Sequence, residues 1–296
     1  QATVGIIGQP IYHSPHGRPA AQHKTQDSGN DKTGDYAATR STSMTDDLLP
    51  QGENFRNWDD TTRYTTVYHV SCDNPDASDE NDGSAHAPFH TINRAAQVVK
   101  PGEKVVIHDG IYRECIQPAR GGTGPDKMIA YEAADGEHVV VTGAECWLSQ
   151  PEPSSGWSIP RIPGDLTVWM AKLPLERFGP YNPFLARNVY DHLPQYGNIS
   201  DPEWLRRTLL RRGAVFCNGE PLRQVLFPRQ LAETDGAFWV EEPGYRIHFR
   251  LPQDASPQSR ALAVSAREQV FAPAVEGLGY IRISGLILEK AADGLP

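Results

Sequence analysis

The spacing of apolar and polar positions between residues 68 and 141 predicts one short helix and several short β-strands. Four apolar residues fall at i, i+3, i+4 and i+7 and so share one helical face: Ile92, Ala95, Ala96 and Val99. Thr91 precedes them as the predicted N-cap, and Pro101-Gly102 is expected to end the helix. The stretch therefore contains a single amphipathic helix.

The segments on either side of this helix have the composition of β-strands. They read VYHV before the helix and KVVIHDGIYREC, MIAYEA and HVVVTG after it, with turns that contain Gly and Asp between them. A lone amphipathic helix that leads into short strands is typical of one open end of a stacked β solenoid. Such an end exposes apolar surface and unpaired strand edges, so an atypical element has to cover it.

Three motifs in this segment carry a resemblance to a known class of proteins. They are Pro-Phe-His-Thr-Ile-Asn-Arg-Ala-Ala at 88–96, Pro-Gly-Glu-Lys-Val at 101–105 and Gly-Ile-Tyr-Arg-Glu at 110–114. The segment resembles the N-terminal cap of right-handed parallel β-helix proteins of the carbohydrate-active type. The resemblance implies an all-β fold but no particular reaction, because lyases, hydrolases and epimerases share this fold.

After residue 141 the apolar pattern changes to longer alternating segments. TVWMAKL, AVFCNGEPL, AFWVEE, YRIHFRL and ALAVSA predict an inserted β-sandwich-like module. YRIHFRL alternates as a half-buried antiparallel strand does. One helix is predicted inside the module, from Asp201, its N-cap, to Arg212. Its arginines are expected on a solvated face: Arg206, Arg207, Arg211 and Arg212.

These patterns divide the chain into four predicted regions. They are a polar N-terminal arm at 1–66, a β-helix cap at 67–144, the inserted module at 145–270 and the first coil of the main β-helix at 271–296. The last region contains GYIRISGLILE, which returns to the solenoid pattern. Because a solenoid needs several coils to bury its core, we expect a second polypeptide or a C-terminal fragment to supply the coils that follow. The arm is expected to pack on its own solenoid or on a neighbouring subunit of a homo-oligomer.

Composition and charge narrow the expected partners. The 296 residues carry a net charge of -9 and no basic block, which argues against nucleic acid as a partner. No apolar run reaches membrane-spanning length, so no membrane partner is expected. The start at Gln1 rather than Met leaves the compartment open, with secretion or the periplasm favoured over the cytoplasm.

The cysteines do not show the spacing of a zinc site. Each of the four lies in or beside an apolar β segment, which favours buried free thiols over disulfides. They are Cys72, Cys115, Cys146 and Cys217. No metal ion or other cofactor is expected.

The layout of cap, inserted module and return to the solenoid is similar to glycoside hydrolase family 120, whose known activity is β-xylosidase. The stretch Phe-Gly-Pro-Tyr-Asn-Pro-Phe at 178–184 and the pair Asp191-His192 resemble that family's Phe-Gly-x-x-Asn-Pro-Tyr/Phe stretch and its Asp-Trp pair. In the family, the aromatic residue of this pair reaches the sugar. His192 offers a hydrogen bond there instead. The resemblance implies that the catalytic carboxylates lie on coils beyond residue 296.

Six residues are candidates for contacts to a saccharide: Tyr181, Asn182, Asp191, His192, Lys290 and Asp293. Five of them have a competing role. Asp191 is also suited to cap the following turn, and Tyr181 and His192 are also suited to pack in their loop. Lys290 and Asp293 lie where the chain leaves the first solenoid strand, and a solvated turn is the alternative for both.

Three functions are compatible with the sequence. The first is an exo-acting glycosidase on xylo-oligosaccharides with a retaining mechanism, which needs two carboxyl groups roughly 5–5.5 Å apart. No pair in the sequence stands out for that role. The second is a polysaccharide lyase or epimerase on uronate polymers, which needs an Asp cluster for Ca²⁺ and a Lys or Arg base. The third is a carbohydrate-binding or assembly subunit without turnover.

Overall fold

The computed structural model of the chain describes residues 4–6, 60–147, 150–154, 166–187 and 209–292. In these residues β-structure predominates and helices are few, as predicted for an all-β protein. The strands are β1 (Val4–Ile6), β2 (Thr66–Val70), β3 (Glu103–Ile107), β4 (Gly110–Tyr112), β5 (Ile129–Ala133), β6 (Val139–Thr142), β7 (Ala144–Cys146), β8 (Glu152–Pro153), β9 (Trp169–Lys172), β10 (Val215–Cys217), β11 (Glu220–Pro221), β12 (Arg223–Gln224), β13 (Ala237–Val240), β14 (Arg246–Arg250), β15 (Leu262–Ser265), β16 (Ile281–Ser284) and β17 (Leu286–Glu289). The helical elements in these ranges include α1 (Ile92–Val98), α2 (Gln230–Glu233) and 3-10 turns at Leu175–Arg177, Pro252–Asp254 and Pro257–Ser259. None of the helices that the structure describes is long and apolar enough to cross a membrane.

The predicted helix is confirmed as α1. The side-chain oxygen of Thr91 accepts a hydrogen bond from the N–H of Arg94, at 3.1 Å, and so caps the helix as expected. The predicted apolar face is fully buried: Ile92, Ala95, Ala96 and Val99. This face belongs to the same hydrophobic cluster as β2 and β3, which places α1 over the first strands of the chain's core.

Four strands that are distant in sequence pair in parallel within one sheet: β2, β3, β5 and β16. Their register places four residues side by side across the sheet: Tyr68, Val105, Tyr131 and Ile283. β1 extends the sheet antiparallel to β16. Residues 4–6 of the predicted arm therefore lie at the edge of this sheet.

A second parallel sheet contains β4, β6 and β17. Its strands directly follow strands of the first sheet, because β3 leads to β4, β5 to β6 and β16 to β17. Each successive pair therefore adds one strand to each sheet in the same order. Buried side chains of both sheets and of α1 form a first large hydrophobic cluster, which includes Ile107, Tyr112, Ile129, Tyr131, Val139, Val141 and Ile281.

Between β6 and β16 the chain forms two further sheets. One is antiparallel, with the order β11-β10-β15-β7. The other has the order β12-β13-β14-β9-β8 and is antiparallel except for the parallel pairing of β12 with β13. Residues from both sheets form a second large cluster, which includes Trp147, Val215, Phe238, Ile247, Phe249 and Val264. The protein thus combines parallel and antiparallel pairing around two large hydrophobic clusters.

β14 lies within the segment YRIHFRL, which was predicted to be a half-buried antiparallel strand, and it is antiparallel to both of its neighbours. The face of β14 that was expected to be exposed is covered at its middle residue. Ile247 and Phe249 belong to the second cluster, and alternation would expose His248 between them. Instead His248 is 1% exposed. The register places it between Trp239 of β13 and Met170 of β9, and large neighbouring side chains cover it. The expectation of a half-buried strand is therefore wrong at this position.

The predicted solvated arginine face is also wrong for Arg211 and Arg212. The other arginine pair and the predicted helix start lie outside the described residues. The helix does not extend to Arg212 as predicted, because Arg211 instead forms an isolated β-bridge with Arg187. The side chain of Arg211 is 9% exposed. It pairs with Glu242 at 3.1 Å, and Arg212 pairs with Glu268 at 3.5 Å. Acidic residues from other segments form ion pairs with both groups, and helical spacing could not show this.

The four cysteines were predicted to be buried, and their burial in the structure differs. Cys217 is buried in β10, whereas Cys72 and Cys115 are half-buried. Cys146 is exposed because it ends β7, the last strand of its sheet among the described residues. An apolar sequence context therefore predicted the burial of only one thiol, that of Cys217.

Candidate functional site

The loop at residues 178–187 carries two of the predicted site residues. The side chain of Asn182 donates to the carbonyl of Gly244 and accepts from the N–H of Phe184, each at 2.9 Å. The second contact is an Asx-turn, which suits Asn before a tight loop. Phe184 is fully buried in the second cluster. Asn182 thus fixes the loop, and its contact to a saccharide stays a prediction.

Tyr181 joins this loop to the segment after β17. Its hydroxyl donates to the carbonyl of Ala292 at 2.9 Å, across 111 residues of sequence. Tyr181 also lines a cleft of about 320 Å³, which we call the junction cleft. Other residues that line it are Cys115, Gln117, Arg177, Arg267 and Glu268. The cleft therefore combines residues that follow β4, β9 and β15.

Lys290 directly follows β17 and has a left-handed backbone, with φ of 56°. Its Nζ pairs with Oε1 of Glu289 at 2.6 Å and lies 5.3 Å from the centre of the Phe216 ring. Gly143 passes beside it, since a Cβ on Gly143 would lie 2.7 Å from the carbonyl oxygen of Lys290. Close packing of strand ends therefore positions this lysine.

The structure brings two of the predicted site residues, Tyr181 and Lys290, near each other. Ala292, which accepts the hydrogen bond of Tyr181, comes two residues after Lys290. Asn182 ties the loop of Tyr181 to Gly244 through a hydrogen bond. The three remaining candidates lie outside the described residues: Asp191, His192 and Asp293.

Arg267 and Glu145 lie beside the same segment, next to Ala292, and the sequence analysis did not select them. Nη2 of Arg267 pairs with Oε1 of Glu145 at 2.6 Å, and Glu145 is buried. The carbonyl of Arg267 accepts from the N–H of Ala292 at 2.8 Å. Arg267 and Glu145 are 122 positions apart in the sequence. The pairing of β15 with β7, which sets Ser265 opposite Ala144, brings them together.

The carboxylates near the junction cleft already have cationic partners. The pairs are Glu145 with Arg267, Glu268 with Arg212, and Glu289 with Lys290. A retaining glycosidase needs one carboxylate that attacks the sugar and one carboxyl group that protonates the leaving oxygen. Each of these contacts engages Oε1 of the glutamate with a cationic side chain.

Glu114, which ends the third cap motif, has a structural explanation. Its carboxylate accepts from the N–H groups of Ile92 and Asn93 at 2.9 and 2.8 Å. These groups have no partner within the helix, because they lie in its first turn. Burial raises the pKa of Glu114, and the two hydrogen bonds oppose the rise. The motif glutamate therefore caps α1 from 21 and 22 residues away.

A chain of hydrogen bonds on the cap was not predicted either. Nδ1 of His69 lies 3.0 Å from Nε2 of His108, and Nδ1 of His108 lies 3.2 Å from Oε1 of Glu137. Burial, together with the neighbouring His108, lowers the pKa of His69. In the described ranges, no group of three or more His, Cys, Asp or Glu side chains is placed to hold a metal ion.

Several solved structures match parts of this chain. Among them, the structure of XylC in complex with xylose is 27% identical, with a TM-score of 0.59, over 76% of this chain and 35% of that chain. A structure described as a glycoside hydrolase is 13% identical, with a TM-score of 0.43, over 77% of this chain and 51% of that chain. No protein-family model matches the chain.

One curated relative matches a shorter segment. The uncharacterized protein YwoF of Bacillus subtilis (strain 168) is 33% identical over 69 residues, which is 23% of this chain and 14% of YwoF. The chain therefore spans 35% of XylC and 14% of YwoF.

Proposed function

We propose that this chain is the N-terminal portion of a glycoside hydrolase with exo-acting, β-xylosidase-like activity. The observation that carries the proposal is the likeness to XylC in complex with xylose, at 27% identity and a TM-score of 0.59 over 76% of the chain. Because the chain spans 35% of XylC, the proposed activity belongs to a complete enzyme to which this chain contributes a part.

The parallel strands support a right-handed parallel β-helix as the finer description of the fold. The pairs β3-β4, β5-β6 and β16-β17 each add one strand to both parallel sheets. In this description residues 67–144 form the cap, 145–270 the inserted β-sandwich-like module and 271–296 the first coil of the main helix. β1 of the arm at 1–66 pairs with the free edge of β16, so a following coil would have to displace β1 there.

β17 supports the further proposal that more coils stack on this part. Its register sets Leu288 beside Val141, and Val141 beside Tyr112. Val141 and Tyr112 are buried, whereas Leu288 is 41% exposed. An exposed leucine in an otherwise buried row suits a continuation, supplied by a second polypeptide or a C-terminal segment. The catalytic carboxylates of the retaining mechanism are proposed to lie there.

The proposed role of this chain is sugar binding at the junction cleft. Tyr181 lines this cleft, and Lys290 lies two residues before Ala292, which accepts the hydrogen bond of Tyr181. Their hydroxyl and ammonium groups suit sugar hydroxyls, and Asn182 holds the loop of Tyr181. Asp191, His192 and Asp293 are proposed as further contacts. The ion-paired carboxylates near the cleft are consistent with a catalytic pair that comes from other coils.

The test uses the complete enzyme, in which the following coils are present, with p-nitrophenyl β-xyloside as substrate. Nuclear magnetic resonance should show release of xylose with retained anomeric configuration. Tyr181→Phe and Lys290→Met should raise KM roughly three- to tenfold with a smaller change in kcat, because each removes a hydrogen bond made before and during the reaction. Lys127→Met, which changes an exposed lysine, is the matched control.

Three outcomes would contradict the proposal or a part of it. An unsaturated, ultraviolet-absorbing product from a uronate polymer would support a lyase instead. Full xylosidase activity of residues 1–296 alone would contradict the assignment of the carboxylates to later coils. Saccharide binding without turnover by the complete assembly would favour the binding subunit.

A further inference from the structure

The outer face of the sheet that contains β14 carries a serine, a histidine and a glutamate joined by hydrogen bonds. Oγ of Ser154 lies 2.8 Å from Nδ1 of His248, and Nε2 of His248 lies 2.9 Å from Oε1 of Glu241. An ionised carboxylate only accepts, so Nε2 carries the hydrogen and donates it to Glu241. Nδ1 of the neutral imidazole is then the acceptor for the serine hydroxyl.

Three different strands hold these groups in place. His248 lies in the middle of β14, Glu241 directly follows β13 and Ser154 directly follows β8. Nε of Arg246 donates to the second oxygen of Glu241 at 2.9 Å, which fixes the carboxylate. His248 is buried and Ser154 is half-buried, so the imidazole is shielded while the serine lies nearer the surface.

We propose that Ser154, His248 and Glu241 form a nucleophilic site that takes an acyl group from esters. The arrangement meets the geometric requirement for such a site, in which a hydroxyl contacts a base and a third group orients the base. None of the three residues lines the junction cleft. The site is therefore separate from the proposed glycosidase function.

The acyl transfer has two balanced steps. Nδ1 of His248 takes the proton of Ser154 as Oγ forms a bond to the acyl carbon. The bond from that carbon to the alcohol oxygen then breaks, and the leaving alcohol takes the proton from Nδ1. Water attacks the acyl-serine with the same proton transfers, releases the carboxylic acid and restores the hydroxyl. Glu241 stays ionised and acts as a positioning residue.

The backbone around Ser154 limits which esters react. Its N–H donates to the carbonyl of Val168 at 2.7 Å, so this group does not stabilise the negative oxygen that forms during attack. Loss of one such donor typically costs about 10²–10³-fold in rate. We therefore expect reaction with activated esters and fluorophosphonates rather than fast turnover of unactivated esters.

The test is labelling of the folded full chain with a fluorophosphonate and with p-nitrophenyl acetate, followed by peptide mapping. Ser154 should react at least about 100-fold faster than Ser259, because a positioned base contributes about 10²–10⁴-fold. Ser259 is an exposed serine of the same module whose hydroxyl donates to the carbonyl of Ser256 at 2.8 Å. Ser154→Ala should abolish the fast labelling, and Ser259→Ala should leave it unchanged.

Two further variants test the base and its orientation. His248→Gln should slow labelling about 100-fold, and Glu241→Gln about tenfold with little change in melting temperature. If His248→Gln unfolds the module, the labelling rates of Ser154 and Ser259 in the unaltered chain still test the proposal. Equal rates at the two serines, or fast labelling that survives Ser154→Ala, would overturn the proposal. Xyloside hydrolysis does not depend on Ser154, so the two proposals fail separately.

Discussion

Glu114 and Asn182 show how single side chains fix segments that are distant in sequence. Glu114 accepts from two N–H groups at the start of α1, and Asn182 ties its loop to Gly244. In both cases the side chain satisfies backbone groups that would otherwise lack a partner, which is costly when they are shielded from water. Residues of this kind shape the molecule without taking part in chemistry.

Glu114→Ala should lower the free energy of unfolding by about 1–3 kcal/mol, because the N–H groups of Ile92 and Asn93 lose their acceptor. Glu114→Gln keeps one acceptor oxygen and should cost less. Urea denaturation measures both changes. Glu276→Ala, at an exposed glutamate, should stay within about 0.5 kcal/mol of the unaltered protein. If Glu114→Ala costs no more than this control, the capping role is wrong.

His248 should make stability depend on pH. Burial lowers its pKa, and the contact with Glu241 opposes this effect while the charge of Arg246 adds to it. The unfolded chain therefore binds a proton at this position more readily, so the contribution of the neutral imidazole is lost as pH falls below about 6.5. The free energy of unfolding should decrease from pH 7 to pH 5, by up to about 1.4 kcal/mol per pH unit.

Denaturation at a series of pH values checks this dependence. His248→Gln should reduce the slope, because glutamine does not titrate. His86→Gln, at an exposed histidine of the cap, is the control and should leave the slope unchanged. A slope that is equal in the unaltered protein and in His248→Gln would show that another group is responsible.

At the scale of elements, the parallel strands depend on close approach between turns. Gly143 lies between β6 and β7, and its N–H donates to the carbonyl of Glu289 at 2.9 Å. A Cβ at this position would lie 2.7 Å from the carbonyl oxygen of Lys290 and 3.0 Å from the Cα of Ala291. Only glycine allows the end of β17 to pass so near.

Gly143→Ala should therefore lower the free energy of unfolding by about 1–3 kcal/mol, because the segment at 290–291 has to move away. Hydrogen exchange should become faster at the backbone N–H groups of residues 287–292. Gly279→Ala is the matched control, since its added Cβ would meet no atom within 4 Å. Equal costs for the two variants would contradict the close approach as the reason for glycine at 143.

Predictability also differs between elements. Local pattern predicted α1 and the strands β2 to β6, because the apolar face and the turn residues of each lie within a few positions. It did not predict β8 or β12, which have two residues each. Strands this short have too few positions for a pattern, and they form because a neighbouring strand supplies their hydrogen bonds.

At the scale of the whole molecule, contacts between distant segments decide where the cleft lies. Tyr181 reaches Ala292, and Arg267 contacts both Glu145 and Ala292. The sequence selected Tyr181 and Lys290 as site residues through a motif and a position. It missed the pair of Arg267 with Glu145 and the group of Ser154, His248 and Glu241, because the members of each are far apart along the chain.

The amino-acid sequence by itself determined the all-β character of the protein, its capped helix and the strands near residue 281. These features depend on spacing and turn residues within short windows, where local physics acts. Only the tertiary structure decided which side chains are buried and which polar groups meet, including His248, Arg211 and Cys146. The physical reason is that burial and hydrogen bonding depend on strand register and on neighbours from other parts of the chain, and neither is contained in a local pattern.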